Sequence, residues 1–400
     1  MLDAIIEGLH RWRDRRVVVA MSGGVDSSLV AAALHRAGAE VIGVHMRQWR
    51  YDSSDRPTHE DAPHVRAVAD ALGIDFHVID VEEEFRRRVI DPFVADYLAG
   101  LTPNPCVLCN RDLKLGALLA RARAWGADRV ATGHYGRVEH DASSRRHTLL
   151  RAADETKDQS YYLFALEQEQ LAGLLMPLGG MLKSDTRAMA RRLGLAVHDK
   201  PDSVEVCFIP DNDYRRFVRR EARLDPEATA GEVVDLEGRV LGRHGGIHNF
   251  TIGQRRGIGI AAPRPLYVVA IDPARRRVIV GEAGALRADS IRVDRLHWVA
   301  LTPGSRPFRA RVRIRYRGAA LPALVIPDGD GGGALVRFER PARAPAPGQA
   351  AVAYDPERGE RVLAGGWIAA RSNGGPINGA GGSGTRQGRS GGRGRCAGGG

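Results

Sequence analysis

Along the first third of the chain, apolar positions switch between short unbroken runs and helical spacing. Val17–Ala20 is one such run and "EVIGVHM" (Glu40–Met46) another. Runs this short, bounded by turn residues, predict buried strands. Between them, Ser27–Arg36 carries apolar residues at helical spacing and stops before Gly38. Thr58-x-x-Asp61 resembles a capping box that opens a helix closing at Gly73. "IDFHVIDV" predicts a third strand, "EEEFRRRVIDPFVADYLAG" a helix, "RDLKLGALLARARAWG" an amphipathic helix, and "DRVATGHY" a further strand. Strands alternating with helices predict an α/β fold built on a doubly wound parallel sheet. Such sheets bind ligands beyond the carboxyl ends of their strands. The loop after Ala20, Met46 and Gly133 lie at those ends.

From about Gly231 the period changes. Strands shorten, turn residues multiply, and a small β-rich central domain is expected. From about Ala285 to Ile368, period-two strands between Pro and Gly turns predict a β-barrel. The expected division is 1–215 for the α/β domain, 216–284 for the central domain, 285–370 for the barrel and 371–400 for a tail. That tail is Gly-rich, lacks acidic residues and holds Arg371, Arg386, Arg389, Arg393 and Arg395, a composition expected to be disordered.

Composition narrows the partners. At 43% hydrophobic residues the chain can bury a core, and no apolar run approaches the roughly 20 residues of a membrane helix. No membrane partner is expected. The N-terminus lacks an apolar signal core, and four cysteines are too few for a disulfide scaffold, so a reducing cytoplasm is the expected compartment. Net charge is +11, and it is still +6 without the five tail arginines. A polyanionic partner fits that excess.

Three stretches carry chemistry. "AMSGGVDSS" follows a strand and opens a helix, the geometry that cradles phosphate. It lacks the lysine of a Walker A loop and the spacing of a dinucleotide fingerprint. Gly23 and Gly24 allow close backbone approach, and Ser22, Ser27 and Ser28 supply hydroxyls. Asp26 would repel bare phosphate, so it reads as a Mg²⁺ ligand or a helix cap. The pattern resembles the pyrophosphatase-type (PP) loop of N-type ATP hydrolases, which implies cleavage of ATP to AMP and pyrophosphate with adenylation of a substrate oxygen.

"TPNPCVLCNRDLK" places Cys109 just before an expected helix, where N–H groups stabilise a thiolate. A buried structural cysteine is the alternative, and a four-cysteine zinc site would need a second C-x-x-C that the sequence lacks. A three-cysteine iron–sulfur cluster on Cys106, Cys109 and Cys207 is a further reading. In "DKPDSVEVCFIP", the apolar flank of Cys207 predicts a core strand residue, its thiol raised by burial and by Asp202 and Glu205. Beside a distant reactive cysteine and an adenylating loop, it becomes a candidate sulfur carrier. Finally, "FRARVRIRYRG" alternates strictly, predicting a strand with Arg309, Arg311, Arg313, Arg315 and Arg317 on one face, suited to a phosphate backbone.

Taken in order, "AMSGGVDSS", "NPCVLCNRDLK", "ATGHYGRV", "KDQSYYLF", "LGGMLKSDTR", "PDSVEVCFIP", "FTIGQRRGIGI", "PLYVVAID", "RIRYRG" and "PGQAAVAYD…GGWI" make the sequence similar to the tRNA-specific 2-thiouridylases. They span about Arg16 to Ile368. The resemblance implies an ATP domain, a central domain and a C-terminal barrel. It implies ATP contacts at Ala20, Met21, Ser22, Gly23, Gly24, Val25, Asp26, Ser27, Met46 and Gly133. Cys109 matches the catalytic nucleophile and Cys207 the persulfide cysteine. Asn104, Pro105 and Cys106 match the segment beside the target base. Lys157, Asp158, Gln159, His134, Arg315, Tyr316 and Gln349 match other tRNA-contact positions. Implied partners are tRNAs with Lys, Glu and Gln acceptors, and a sulfur donor such as a cysteine desulfurase or a sulfur-relay protein. Some members carry Asp where this chain has Cys106, so an acid/base role there does not transfer. Other adenylating synthetases with the same loop need no paired cysteines. An RNA-binding module with a vestigial nucleotide domain would need no intact loop.

Overall fold

The computed structural model describes residues 2–48, 61–127, 129–200, 206–209, 211–304 and 306–370. The expected capping residue Thr58, Asp202, Glu205 and the 371–400 tail lie outside these residues.

The N-terminal sheet comprises β1 (Arg16–Ala20), β2 (Glu40–Arg47), β3 (Asp75–Asp80), β4 (Arg129–Ala131) and a short edge strand, Leu174–Leu175. All pair in parallel, in the spatial order β3-β2-β1-β4-edge. The order reverses between β1 and β4, so the crevice at their carboxyl ends is the topological switch point where α/β sheets take ligands. Val17, Val18 and Val19 are fully buried, as expected of a central strand covered on both faces. One face packs on the helix Val25–Arg36, whose residues Leu29–Leu34 are all buried. The other packs on Leu115, Leu118, Leu119 and Ala122 of a long helical stretch that begins at Pro105. The doubly wound parallel architecture read from the sequence is the one observed.

The central region forms a four-stranded sheet of Gly231–Val234, Val240–His244, Tyr267–Asp272 and Arg277–Gly281. The last region closes a six-stranded barrel from Arg287 to Ile368. Closure removes the exposed strand edges that an open sheet would leave.

One strand expectation needs correction. The barrel strand over "FRARVRIRYRG" spans only Phe308–Arg313, and the chain turns at Ile314–Gly318. Arg309 is exposed and pairs with Glu339 at 3.0 Å. Arg313 is 9% exposed and reaches the buried Asp158 carboxylate at 3.3 Å. The five arginines do not share a face, because the strand ends before the alternation does.

The barrel packs directly on the α/β domain. The Tyr161 hydroxyl donates to the Ala350 carbonyl at 2.9 Å, the Ser160 and Tyr354 hydroxyls lie 3.1 Å apart, and Phe164 packs on Trp367 with ring centroids 5.4 Å apart. Tyr161 is therefore a core residue.

Candidate active site

At the carboxyl end of β1, Met21 extends the ladder by donating to Val44 O at 2.8 Å. The chain then turns through Ser22–Gly24 into the helix starting at Val25. Gly24 is the N-cap and offers no side chain to the first-turn amides, so those N–H groups stand available for an anion. The serines knit the loop itself. Ser27 Oγ accepts from Ser22 N at 3.2 Å and donates to Gly24 O at 3.2 Å, while Ser28 Oγ donates to Gly24 O at 3.0 Å.

Asp26 is neither the N-cap nor open to a divalent cation. Its two carboxylate oxygens accept from Lys183 Nζ at 2.7 and 2.6 Å, and one accepts from the Tyr135 hydroxyl at 2.9 Å. Gln159 in turn braces Tyr135, its Oε1 accepting from Tyr135 N at 2.9 Å. Lys200 Nζ donates to the Gly23 carbonyl at 3.2 Å. The loop thus has two ammonium groups beside it, both missed in the sequence reading. Lys183 lies within "LGGMLKSDTR", but a pairing across 157 residues leaves no local signal. Because Lys183 already neutralises Asp26, the residues present do not form a Mg²⁺ site at that carboxylate.

Gly133 follows β4 and closes the crevice. A Cβ on it would lie 2.8 Å from Asp26 Cβ and 2.8 Å from Ser27 N, so only glycine permits this approach. Its neighbour His134 keeps Nδ1 3.0 Å from Thr132 Oγ1. Burial, then the Lys114 ammonium, pull the imidazole down to about 3, so it is neutral near pH 7.

The cysteine helix departs from expectation. It starts at Pro105, runs as an α-turn to Leu108, becomes a π-helix over Cys109–Ala117 and returns to α-helix over Leu118–Ala124. Cys109 is therefore a full turn inside the helix and buried, not ahead of its first turn. Burial is the main cause that pushes its thiol up to about 12, with Lys114 pulling down and Cys207, Cys106 and Asp112 pushing up. Cys106 is pushed up to about 11 by burial and by Cys207, again opposed by Lys114. The Lys114 ammonium thus acts electrostatically on both thiols and on His134.

Its place follows from the helix type. On an α-helix, residues five apart sit about 140° apart in azimuth. In a π-helix the i→i+5 bond stacks them instead.

Cys207 also differs from expectation. It is exposed and lies in a turn rather than a core strand. The apolar flank serves a different end. Phe208 and Ile209 are buried, with Phe208 packed at 5.6 Å from Phe85, 5.3 Å from Phe93 and 5.3 Å from Phe217 between ring centroids. Anchoring Phe208 inward turns Cys207 outward, near enough to Cys106 and Cys109 to raise both of their thiols. The three are free thiols. Among the described residues, no group of three or more His, Cys, Asp or Glu is arranged to hold a metal ion. The three-cysteine iron–sulfur cluster therefore finds no support among the described residues.

The positions expected to touch tRNA divide. Lys157 is half-buried at the surface. Asp158 has a fully buried carboxylate, held by Arg151 Nε at 2.9 Å, Arg313 at 3.3 Å and the backbone amides of Ala152 and Ser160. Its side chain is spent inside the molecule. Arg315 donates to the Ala344 carbonyl. Tyr316 packs on Tyr162 with ring centroids 4.5 Å apart and the planes tilted by 34°. Gln349 donates from Nε2 to the carbonyls of Thr102 and Pro103 at 3.1 and 3.0 Å. Asn104 and Pro105 are buried at the head of the cysteine helix. Met46 and Ala20 pack with Leu108 against one apolar cluster, which brings the loop crevice and the cysteine helix together.

Comparison with known proteins covers nearly the whole described chain. Residues 15–211 match a family model described as a tRNA methyl transferase HUP domain, 221–282 a tRNA methyl transferase PRC-barrel domain, and 288–368 an aminomethyltransferase beta-barrel domain. The tRNA-specific 2-thiouridylase MnmA of Geotalea uraniireducens is 47% identical over 363 residues, covering 88% of this chain and 95% of that protein. That of Geobacter metallireducens is 48% identical over 363 residues, with 88% and 96% covered. That of Chloroflexus aggregans is 49% identical over 359 residues, with 88% and 98% covered. With loop, cysteine helix and barrel all inside these matches, the chain belongs to the tRNA-specific 2-thiouridylase family.

Proposed function

We propose that this protein is an ATP-dependent tRNA-uridine 2-sulfurtransferase acting on the wobble uridine. The uracil C2 oxygen attacks the α-phosphorus of ATP, pyrophosphate leaves and N3 gives up its proton. C2 then carries AMP as a leaving group in place of a poor one. The Val25 helix N-terminus and Lys200 would stabilise the charge on the phosphates, and Lys183 keeps the Asp26 carboxylate from repelling them.

Sulfur arrives as a persulfide on Cys207, loaded by an external donor. Its terminal sulfur attacks C2 and displaces AMP. Cys109 then attacks the Cys207 sulfur, which leaves the thiocarbonyl on the base and a Cys109–Cys207 disulfide. Two equivalents of an external thiol, leaving as their own disulfide, restore both cysteines, and N3 regains a proton. The alternative order has Cys109 attack first and release hydrosulfide, which then attacks C2. The exposed Cys207 and the buried, high-pKa Cys109 support the first order, because Cys109 then need not be ionised at rest. An anticodon base is single-stranded, so swinging it into the crevice costs little.

The observation that carries this reading is the convergence at one sheet end of the open helix N-terminus and three neighbouring thiols. Its test is release of pyrophosphate from ATP on adding unmodified tRNA. The Cys109→Ser and Cys207→Ser variants should still release pyrophosphate, while in Cys207→Ser the AMP stays on the uridine because no persulfide displaces it. No tRNA-stimulated release in the wild type would sink the adenylation step.

A further inference from the structure

The stretch that feeds the cysteine helix is gripped by the barrel. Thr102 N donates to the Pro347 carbonyl at 2.7 Å, and Gln349 Nε2 donates to the carbonyls of Thr102 and Pro103 at 3.1 and 3.0 Å. Gly348, between them, has φ +88°, and a Cβ there would lie 2.9 Å from Thr102 O and 3.0 Å from Leu101 Cβ. The gripping loop is itself braced. Gly348 N donates to Ile368 O at 2.9 Å, Ile368 N to Gln349 O at 2.8 Å, and Gln349 N to Ala346 O at 3.1 Å. It therefore moves as part of the last barrel strand.

The gripped stretch has little structure of its own. Pro103 and Pro105 have no N–H to give, and the Thr102 and Pro103 carbonyls lie ahead of the helix, outside its ladder. Buried carbonyls need a partner, and here the barrel supplies it. Only two residues separate Pro103 from Cys106, so any shift of these carbonyls passes to the helix that carries Cys106 and Cys109.

We propose that Gln349 is a positioning residue: by holding the Thr102 and Pro103 carbonyls, it sets the cysteine helix against Cys207, so the barrel aligns the thiols. This rests on the sulfur-transfer reading above. It also gives Gln349 a task distinct from direct contact with RNA.

Gln349→Glu keeps the size, removes both donors and sets a carboxylate against two carbonyls. In the full chain, the Thr102 amide should exchange with solvent at least tenfold faster. Exchange in the barrel strand Ala350–Tyr354 should be unchanged, which reports an intact fold. Single-turnover 2-thiouridine formation at saturating tRNA should fall at least tenfold, beyond any change in tRNA affinity. Gly348→Ala, which pushes on the same carbonyl, should give the same exchange pattern. Unchanged exchange at Thr102 in both variants would overturn the proposal, as would thiolation lost only in proportion to tRNA affinity. Exchange needs neither tRNA nor ATP. A wild type that fails to thiolate would therefore refute the reaction assignment, while the grip is still judged by exchange.

Discussion

Cys109 and Cys207 differ in the property that governs thiol chemistry, access to water. With Cys109 pushed up to about 12 mainly by burial, its thiolate is scarce at neutral pH. Iodoacetamide at pH 8 should alkylate the exposed Cys207 first, and the Cys109 rate should still be climbing above pH 10, as peptide mass analysis would record. Equal rates at pH 8 would contradict the burial argument. Lys114 opposes that shift at Cys109 and at the half-buried Cys106 and also lowers His134. Lys114→Met should therefore slow Cys109 alkylation at a fixed pH, about tenfold for each unit its pKa rises. It should also let His134 take up its proton at higher pH, visible in its ring proton shifts. At the loop, Lys183→Met leaves the Asp26 carboxylate without its cation. The pair is partly exposed, so the loss of stability should fall below the roughly 3–5 kcal/mol of a fully buried pair. Pyrophosphate release should suffer more than the melting temperature does.

The π-helix matters to the site because its i→i+5 winding brings position 114 closer in azimuth to Cys109 than an α-helix would. Gly116 belongs to the same device. A Cβ there would lie 2.6 Å from the Arg111 carbonyl, five residues back. Gly116→Ala should cost about 1–3 kcal/mol by overpacking, although alanine favours an ordinary helix; a gain in stability would contradict the account. The sequence made the helix legible and its type obscure. Apolar spacing in "RDLKLGALLARARAWG" shows the face packed on the sheet, whereas one residue of extra winding leaves too small a trace in the period. The start at Pro105 was signalled by proline at the first helical position, but the cysteine pair drew the boundary too late. Cys207 was misplaced for a related reason. "VCFI" reads as a strand core, yet a turn pinned by Phe208 and Ile209 needs the same apolar letters. The glycine loop was readable because its chemistry is local: strand, glycines, serines and helix occur within a dozen residues. Lys183 and Asp158 were not, since their partners are brought in by the fold.

At the scale of the whole molecule, the barrel is bound to the α/β domain through buried polar contacts. Asp158 collects Arg151 and Arg313 from either side. Asp158→Ala leaves two cations facing a buried hole and should cost roughly 3–5 kcal/mol, read as a lower denaturant midpoint. Thiolation should fall with it, because barrel and cysteine helix then lose register. Binding to tRNA should weaken as salt rises, as expected for a chain of net charge +11. The central claim, however, is the reaction. The most direct test incubates unmodified tRNA with the protein, ATP, Mg²⁺ and a persulfide source, then analyses the nucleosides by mass. The account predicts 2-thiouridine with wild-type protein, only when ATP is present, and none with Cys109→Ser or Cys207→Ser. Thiolation that persists in both cysteine variants would contradict the sulfur route, and ATP turnover with no sulfur entering RNA would contradict the reaction itself.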